Sequence, residues 1–285
     1  MLSRWITQVN DINLALNQLE RLAKHLTFER KGRGRKPKRE FVKYAKLIVL
    51  KEYDERTLRG AEVHLSRLVC DERIDHSVIA YWENKEEMQK LISQFIVVAG
   101  ALLQEKLSYD FTFVDSTKFT SWEIQEIEVT VCNRISQTVY PVGISFIRDK
   151  VSSAVDEAVP EGTGKLKADA WYDVNEVFKV LFGKGYIPII CPNKNRIDGF
   201  YRRKGRKLYR MRENRLAYRQ RGRGESLFGS LTNQFGDRLN ARKENVMKVR
   251  IASRVLCYQL KLMIRCQIII YLLIIRHAHY NVRHK

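Results

Sequence analysis

Three acidic residues stand where they could catalyse phosphoryl transfer. Asp115 follows an alternating apolar run in FVDST, Asp169 follows another in KADAWYD, and Glu225 opens an apolar stretch in RGRGESLFGSL. They are separated by 54 residues (169 − 115) and 56 residues (225 − 169). Two divalent cations about 4 Å apart can bind the attacking and leaving oxygens of a phosphodiester and offset the charge that develops. Magnesium prefers oxygen ligands, so three carboxylates suffice for two Mg²⁺ ions, and Mn²⁺ can substitute.

Asp110 and Asp173 are the alternatives for the first two ligands, and spacing alone leaves each choice open. Asp115 is favoured because it directly follows the apolar run. Asp169 is favoured because it lies at a strand end, whereas Asp173 is placed to cap the helix that begins after it. Glu225 lies close to three arginines and could instead form a surface ion pair.

The acids must be positioned by regular elements, and the chain changes its periodicity near residue 107. Alternating residues predict three strands, in YDFTFVDSTKF, IEVTVCNRI and VYPVGISFI, with Asp115 at the end of the first. A helix (DKVSSAVDEAVPEG), a strand (LKADAWYD), a helix (VNEVFKVLFGKG) and a strand (YIPIICPNKN) follow. Further helices are expected from about Glu225. This order predicts an α/β protein with a mixed sheet flanked by helices.

The first part of the chain is predicted to be entirely helical. Helices are expected over residues 1–28 and 40–105, one of them capped by Asp75 and running to Met88. With the preceding helix it fits a helix-turn-helix plan that presents the side chains of Ser77, Ala80, Tyr81 and Asn84 to the major groove of DNA. An ordinary helical bundle is the alternative. We therefore divide the chain into a helical DNA-binding region, 1–105, and a catalytic region, 106–285.

The charge of the chain indicates a polyanionic partner. It carries 52 basic and 32 acidic residues, a net charge of +20. Nucleic acid is the commonest reason for such an excess, although ribosomal and membrane-surface proteins share it. Residues 196–223 hold twelve Lys or Arg, with Tyr201, Tyr209 and Tyr218 interleaved to offer stacking surface, and Arg223 is a candidate DNA contact.

A second basic segment, RKGRGRKPKR at residues 30–39, is predicted to be an exposed arm. Its glycines and proline oppose regular structure. Arg33, Arg35 and Lys36 resemble the slim basic side chains that enter the minor groove, whereas a solvated loop is an equally good interpretation.

Cysteine usage and hydropathy indicate where the protein works. The five cysteines are scattered, without a CxxC pair, which favours neither a disulfide framework nor a zinc site and fits a reducing cytosol. The apolar stretch 256–275 contains Lys261, Arg265 and Gln267, which are costly in a bilayer. A buried helix is favoured over a membrane span there, although residues 268–275 could also form a strand. We expect a cytoplasmic, nucleoid-associated protein with no membrane partner.

Residues 107–275 resemble the DDE catalytic domain of bacterial and archaeal insertion-sequence transposases, which has a ribonuclease H-like fold. VDST (114–117) resembles the first-aspartate motif, and KADAWYD (167–173) resembles the second. The third is the most specific: Tyr218, Arg221 and Glu225 occur at the signature spacing, and Phe228 matches a frequent aromatic. Thr232 replaces the lysine that the signature expects, and Lys243 or Lys248 could substitute.

The resemblance implies metal-dependent cleavage and strand transfer by Asp115, Asp169 and Glu225, with Tyr218 and Arg221 at the DNA end. The implied partners are double-stranded DNA, both transposon inverted repeats and target, and further copies of the chain in a homodimeric or larger synaptic complex. Two alternatives remain: a non-catalytic DNA-binding protein derived from a transposase, and a structure-specific nuclease on the same fold.

Overall fold

The structure, a computed structural model, describes residues 11–27, 37–123 and 125–283. Six helices and a single π-helical turn precede the first strand in the described part. They are α1 (Ile12–Ala23), α2 (Phe41–Tyr53), α3 (Leu58–Gly60), the π-helical turn Ala61–Leu65, α4 (Ser66–Cys70), α5 (His76–Glu83) and α6 (Glu86–Gln104). The predicted helical character of this region is confirmed.

Helix α5 has the predicted start and an earlier end than predicted. The Asp75 carboxylate accepts a hydrogen bond from the Ser77 amide at 2.7 Å, as an N-cap should. The helix was expected to continue to Met88, but it ends at Glu83. The reason is Lys85, whose extended backbone (φ −97°, ψ 135°) interrupts the helix before α6 begins.

A mixed sheet forms the second part of the chain. Its strands are β1 (Phe111–Ser121), β2 (Glu126–Ile135), β3 (Val139–Ser145), β4 (Lys165–Ala168), β5 (Ile187–Ile190) and the short β6 (Arg238–Leu239). The order is β3-β2-β1-β4-β5, with β6 paired to the end of β1. β2 runs antiparallel to its neighbours, while β1, β4 and β5 are parallel. The predicted α/β class and ribonuclease H-like arrangement are confirmed.

Helices cover the sheet and connect its strands. They are α7 (Val151–Ala158), α8 (Asn175–Gly183), α9 (Phe200–Arg210), α10 (Arg212–Tyr218), α11 (Ser226–Phe235) and α12 (Glu244–Arg283), with 3₁₀ turns at Ala170–Tyr172 and Arg219–Arg223. The Arg-rich segment 196–223 is thus mostly helical. The stretch 268–275 lies within α12, so the strand alternative for it is wrong.

The two parts of the chain share one buried apolar cluster, which extends from Ala15 in α1 to Ile264 in α12. α12 packs against α2 and α6, and α6 also packs against β3. At this junction the buried Glu83 carboxylate lies 2.9 Å from both Lys51 Nζ and Arg250 Nε. Among the described residues, no helix has the length and apolar character needed to cross a lipid bilayer.

Candidate active site

Asp115 lies in the middle of β1, not at the end of the strand as predicted. β1 pairs with β2 as far as Thr120, whereas its pairing with β4 stops at Val114. The strand is therefore longer than expected because β2 supports it beyond the last residue of β4. Asp115 is the first β1 residue past the end of that parallel pairing.

Asp169 occupies the corresponding place on β4. The parallel register joins Val114 to Ala168, so Asp115 and Asp169 are the next residue on each of two adjacent strands. The backbone turns away at the 3₁₀ turn Ala170–Tyr172, whose first amide donates to Asp169 Oδ1 at 2.6 Å. Parallel strand ends place their following side chains at one edge of a sheet, so these two acids are neighbours.

Glu225 reaches the same place through a close approach of backbone to β1. Gly224 precedes it and lies against the ring of Phe113, where a Cβ would overlap Phe113 Cδ1. Side chains two apart on a strand share a face, so Phe113 and Asp115 point the same way. Glycine at 224 thus lets the start of α11 lie on the β1 face that carries Asp115.

The electrostatics of Asp115 show that the three acids influence one another. The pKa of Asp115 is raised from 3.8 to about 6, mainly by burial and also by the negative charges of Glu225 and Asp169, against a hydrogen bond from the Ser116 amide. Arg221 opposes this rise. A site of like charges with one half-buried member stabilises a bound cation, since the cation relieves the repulsion.

The carboxylates are close without forming a compact trio. Among the described residues, Glu62, Asp75 and His76 make the one group of three potential ligands whose atoms all lie within 4.8 Å. A two-ion site needs less convergence: ions about 4 Å apart, each with ligands at about 2.1 Å, span about 8 Å of donor oxygens. Asp115, Asp169 and Glu225 do not form such a compact group, and Asp115 and Asp169 line a common cavity without Glu225.

Arg221 and Tyr218, the predicted DNA contacts, both lie beside Asp169. Arg221 Nη1 donates to Asp169 Oδ1 at 2.8 Å, and its guanidinium lies 5.4 Å from the centre of the Tyr218 ring. The Tyr218 hydroxyl is buried without a hydrogen-bond partner, and burial raises its pKa to about 12. Arg223, the third contact predicted from this segment, pairs with Asp110 at 3.1 Å and with the Ser136 carbonyl.

Asp173, the rival of Asp169, has a structural role that differs from the predicted helix cap. Its buried carboxylate binds Arg202 through both oxygens and accepts the Asn193 amide at 2.6 Å, and α8 has no side-chain cap. Arg202 is itself buried, which makes this a desolvated, bidentate pair. Asp110 and Asp173 are thus both occupied by arginines at the edges of the site.

Several residues of the site were not singled out from the sequence. The cavity that contains Asp115 and Asp169 is also lined by Ser116, Thr117, Lys118, Glu128, Trp171 and Tyr172. Lys118 and Glu128 are cross-strand partners on β1 and β2, a relation that is visible only once the register is known. Trp171 lies within the second motif, and its aromatic type between two polar aspartates was the available signal.

Other predicted contacts lie elsewhere. Arg33, Arg35 and Lys36 fall outside the described residues, and the structure includes only the last residues of the basic arm, 37–39. On α5, Ser77 and Tyr81 are exposed, whereas Ala80 and Asn84 are half-buried. Only part of the proposed major-groove face is therefore open to solvent.

The two candidates to replace the expected lysine differ in their surroundings. The Thr232 hydroxyl donates to the Phe228 carbonyl at 3.0 Å within α11. Lys248 pairs with Glu244 at 2.6 Å, and Lys243 is exposed.

Part of the chain matches a known protein family. No curated protein sequence matches the chain. Residues 154–260 match the family described as the transposase DDE domain, a segment that contains Asp169, the Tyr218–Glu225 signature and the beginning of α12. The motif around Asp115 precedes the matched segment. The matched segment is less than half of the chain, and together with the fold it is consistent with a DDE-class insertion-sequence transposase.

Proposed function

We propose that the protein binds the terminal inverted repeats of its own mobile element, cleaves the phosphodiester there and joins the released end to target DNA. Asp115, Asp169 and Glu225 are the proposed ligands of two Mg²⁺ ions, which Mn²⁺ can replace. The observation that carries the proposal is the parallel register of β1 and β4, which makes Asp115 and Asp169 neighbours, with the charges of Asp169 and Glu225 both acting on Asp115.

The residues divide the work according to their positions. Asp115 and Asp169 are fixed by adjacent strands, and Glu225 is carried by the start of α11. Bound cations would supply Lewis acidity to the attacking and leaving oxygens of an in-line displacement. Water cleaves the phosphodiester and leaves a 3′-hydroxyl, and that hydroxyl then attacks target DNA in a second displacement. Neither step uses a protein nucleophile.

Arg221 is placed to bind first the Asp169 carboxylate and then a DNA phosphate. In the structure its guanidinium neutralises Asp169, and both side chains are partly exposed. A cation on Asp169 would take over that role and leave Arg221 to bind a DNA phosphate next to Tyr218 and Arg223. One of the three carboxylates is thus already paired before substrate arrives.

The remaining assignments divide the chain at residues 105 and 106. We assign end recognition to residues 1–105, through the arm residues Arg33, Arg35 and Lys36 and the exposed side of α5. Catalysis is assigned to residues 106–285. Joining two ends requires at least a homodimer in the synaptic complex, and chromosomal DNA would hold the protein at the nucleoid.

The test is nicking of DNA that carries the inverted repeats flanking the coding sequence of this protein, with Mg²⁺ or Mn²⁺. Asp115→Ala, Asp169→Ala and Glu225→Ala should each abolish cleavage and leave DNA binding intact. Asp156→Ala is the matched control, because Asp156 is an exposed acid paired with Lys184 and does not line the cavity that contains Asp115 and Asp169. Normal cutting by the three variants would refute the assignment of the site.

A binding-only role has one observation in its favour, namely that Asp169 is already paired with Arg221 at 2.8 Å. Such a protein would bind end-containing DNA with the same affinity in EDTA and in Mg²⁺ and would leave it uncut under all conditions. The nicking assay separates the two functions, because only a transposase cuts the DNA when Mg²⁺ or Mn²⁺ is present.

A further inference from the structure

A cavity of about 760 Å³ lies where the helical region meets the catalytic region. Its lining includes Leu58 of α3 and His76 at the start of α5, together with Phe235 at the end of α11. None of its lining residues also lines the cavity that contains Asp115 and Asp169. Volumes of this order hold small organic ligands. The cavity is therefore a candidate binding site that is separate from the proposed catalytic site.

One wall of the cavity belongs to a buried ionic network in which cations outnumber acids. Its cations are Lys51 of α2 with Arg250 and Arg254 of α12, and its carboxylates are Glu52 of α2 and Glu83 of α5. Lys51 Nζ lies 2.7 Å from Glu52 and 2.9 Å from Glu83. Arg250 Nε lies 2.9 Å from Glu83, and Arg254 Nε lies 3.4 Å from Glu52. Three cations thus share two carboxylates, which leaves one positive charge of the network unmatched.

Arg254 offers a free hydrogen-bond donor to the cavity that it lines. Only 8% of the residue is exposed, and Nη1 donates to the Gly236 carbonyl at 3.1 Å. Nη2 has no acceptor within the part of the chain that the structure describes. A guanidinium nitrogen that is left without an acceptor in a buried side chain is costly. An oxyanion would accept its hydrogen bond and neutralise the excess charge at the same time.

The exposed charges at the opening of the cavity do not offset this excess. Glu55 and Arg59 line the cavity and are exposed, and neither forms an ion pair with another described residue. Arg56 also lines it and pairs with Asp54 at 2.6 Å. These two acids and two cations sum to zero. The network behind them therefore keeps one positive charge that solvent and ligands can reach.

We propose that this cavity binds the phosphate group of a nucleotide-sized ligand, with Arg254 as the buried contact and Arg59 at the opening. Phosphate matches the guanidinium group in charge and in geometry. A free nucleotide and a nucleotide of bound DNA offer the same group. Because α2, α5 and α12 all contribute to the network, the bound phosphate links the helical region to the catalytic region. The proposal does not depend on the assignment of Asp115, Asp169 and Glu225.

The first experiment measures thermal unfolding and the heat of binding for the whole chain in EDTA, with pyrophosphate or ATP as the probe. The Tm of the wild-type protein should rise by about 5 °C at a hundredfold excess over the Kd. Arg254→Gln should abolish this rise. Arg59→Gln changes an exposed side chain that folding does not need, and it should weaken binding by about threefold to tenfold.

Arg67→Gln is the matched control, because Arg67 is an exposed arginine of α4 that does not line the cavity. It should bind both probes as the wild-type protein does. Equal binding by the wild-type protein, Arg254→Gln and Arg59→Gln would refute the site, because the anion would then bind elsewhere on this basic protein. The absence of a rise in Tm with both probes would refute it as well.

A second experiment distinguishes the two sources of the phosphate. Binding of duplex DNA is measured in EDTA at several salt concentrations. If a DNA phosphate occupies the cavity, Arg254→Gln should reduce the slope of log K against log[salt] by about one, and saturating DNA should abolish ATP binding. If the ligand is a free nucleotide, the slope should stay unchanged and the protein–DNA complex should still bind ATP. Both results support the site, and each identifies one source.

Discussion

Replacing Asp115 by asparagine should make the metal-free protein more stable at neutral pH while abolishing cleavage. Burial and the charges of Glu225 and Asp169 raise the pKa of Asp115 from 3.8 to about 6. At 1.36 kcal/mol for each pH unit, keeping this carboxylate ionised costs about 3 kcal/mol. Partial exposure screens part of this cost, and we expect a gain of about 2 kcal/mol in the free energy of unfolding. Asparagine keeps an oxygen that can accept the Ser116 amide.

The sign of the effect gives it a distinctive pH dependence. Because the folded-state pKa of Asp115 is raised, the folded protein holds a proton between about pH 4 and about pH 6 that the unfolded chain has lost. Stability of the wild-type protein therefore falls as pH rises through this window. The advantage of Asp115→Asn should be absent below about pH 4, grow across the window and become constant above it.

Urea unfolding in EDTA at several pH values measures this difference as a shift of the midpoint at unchanged slope. Asp156→Asn is the control, because Asp156 is an exposed acid that is not among the groups that shift the pKa of Asp115. Added Mg²⁺ should then stabilise the wild-type protein and leave Asp115→Asn unchanged, since a ligand stabilises only the state that binds it. The electrostatic account of this site would be refuted if Asp115→Asn were less stable than the wild-type protein at pH 8. It would also be refuted if Asp115→Asn were more stable by the same amount at every pH.

Three further changes test how the site is supported. Gly224→Ala should destabilise the fold by about 1–3 kcal/mol and reduce cleavage much more than DNA binding, because the new methyl group meets the buried Phe113 ring; urea unfolding and nicking rates measure both effects. Asp173→Asn should cost about 3–5 kcal/mol by leaving the buried Arg202 charge unpaired, as seen in thermal unfolding, while the folded fraction still cleaves. The charges of Lys51 and Arg250 outweigh the burial of Glu83 and hold its pKa below 4.5. Glu83→Gln should therefore lower the free energy of unfolding near neutral pH. This loss should shrink as the pH falls through the folded-state pKa, because the wild-type carboxylate is then itself protonated.

The elements of the catalytic region could be predicted because each has a strong local pattern. The alternation in IEVTVCNRI marks β2, and the Asp75 cap marks the start of α5. Element ends were less predictable, since they depend on partners that are distant in sequence. β1 continues past Asp115 because β2 pairs with it there, and the sequence FVDSTKF does not indicate this pairing.

The roles of charged residues were harder to predict than their elements. Asp173 precedes a helix, which suggests a cap, yet its carboxylate binds Arg202 from the next helix but one along the chain. One of the twelve cations in the basic segment is therefore buried for stability and is lost to DNA binding. Composition counts such an arginine as nucleic-acid surface, because burial depends on tertiary packing.

The convergence of the three acids depends on two features that differ in how far the sequence reveals them. For Asp115 and Asp169, parallel pairing of β1 with β4 at a constant offset of 54 residues, as in Val114 with Ala168, is enough to make the next residues neighbours. For Glu225, proximity comes from a missing side chain, since Gly224 lets α11 lie on Phe113. The first feature follows from strand order. The second is a packing relation that cannot be read from the sequence, because the glycine in RGRGES is also typical of a loop. Glu225, the third proposed ligand, is therefore the one that the family signature, rather than periodicity, had to supply. It is also the one whose position a single methyl group at residue 224 should displace.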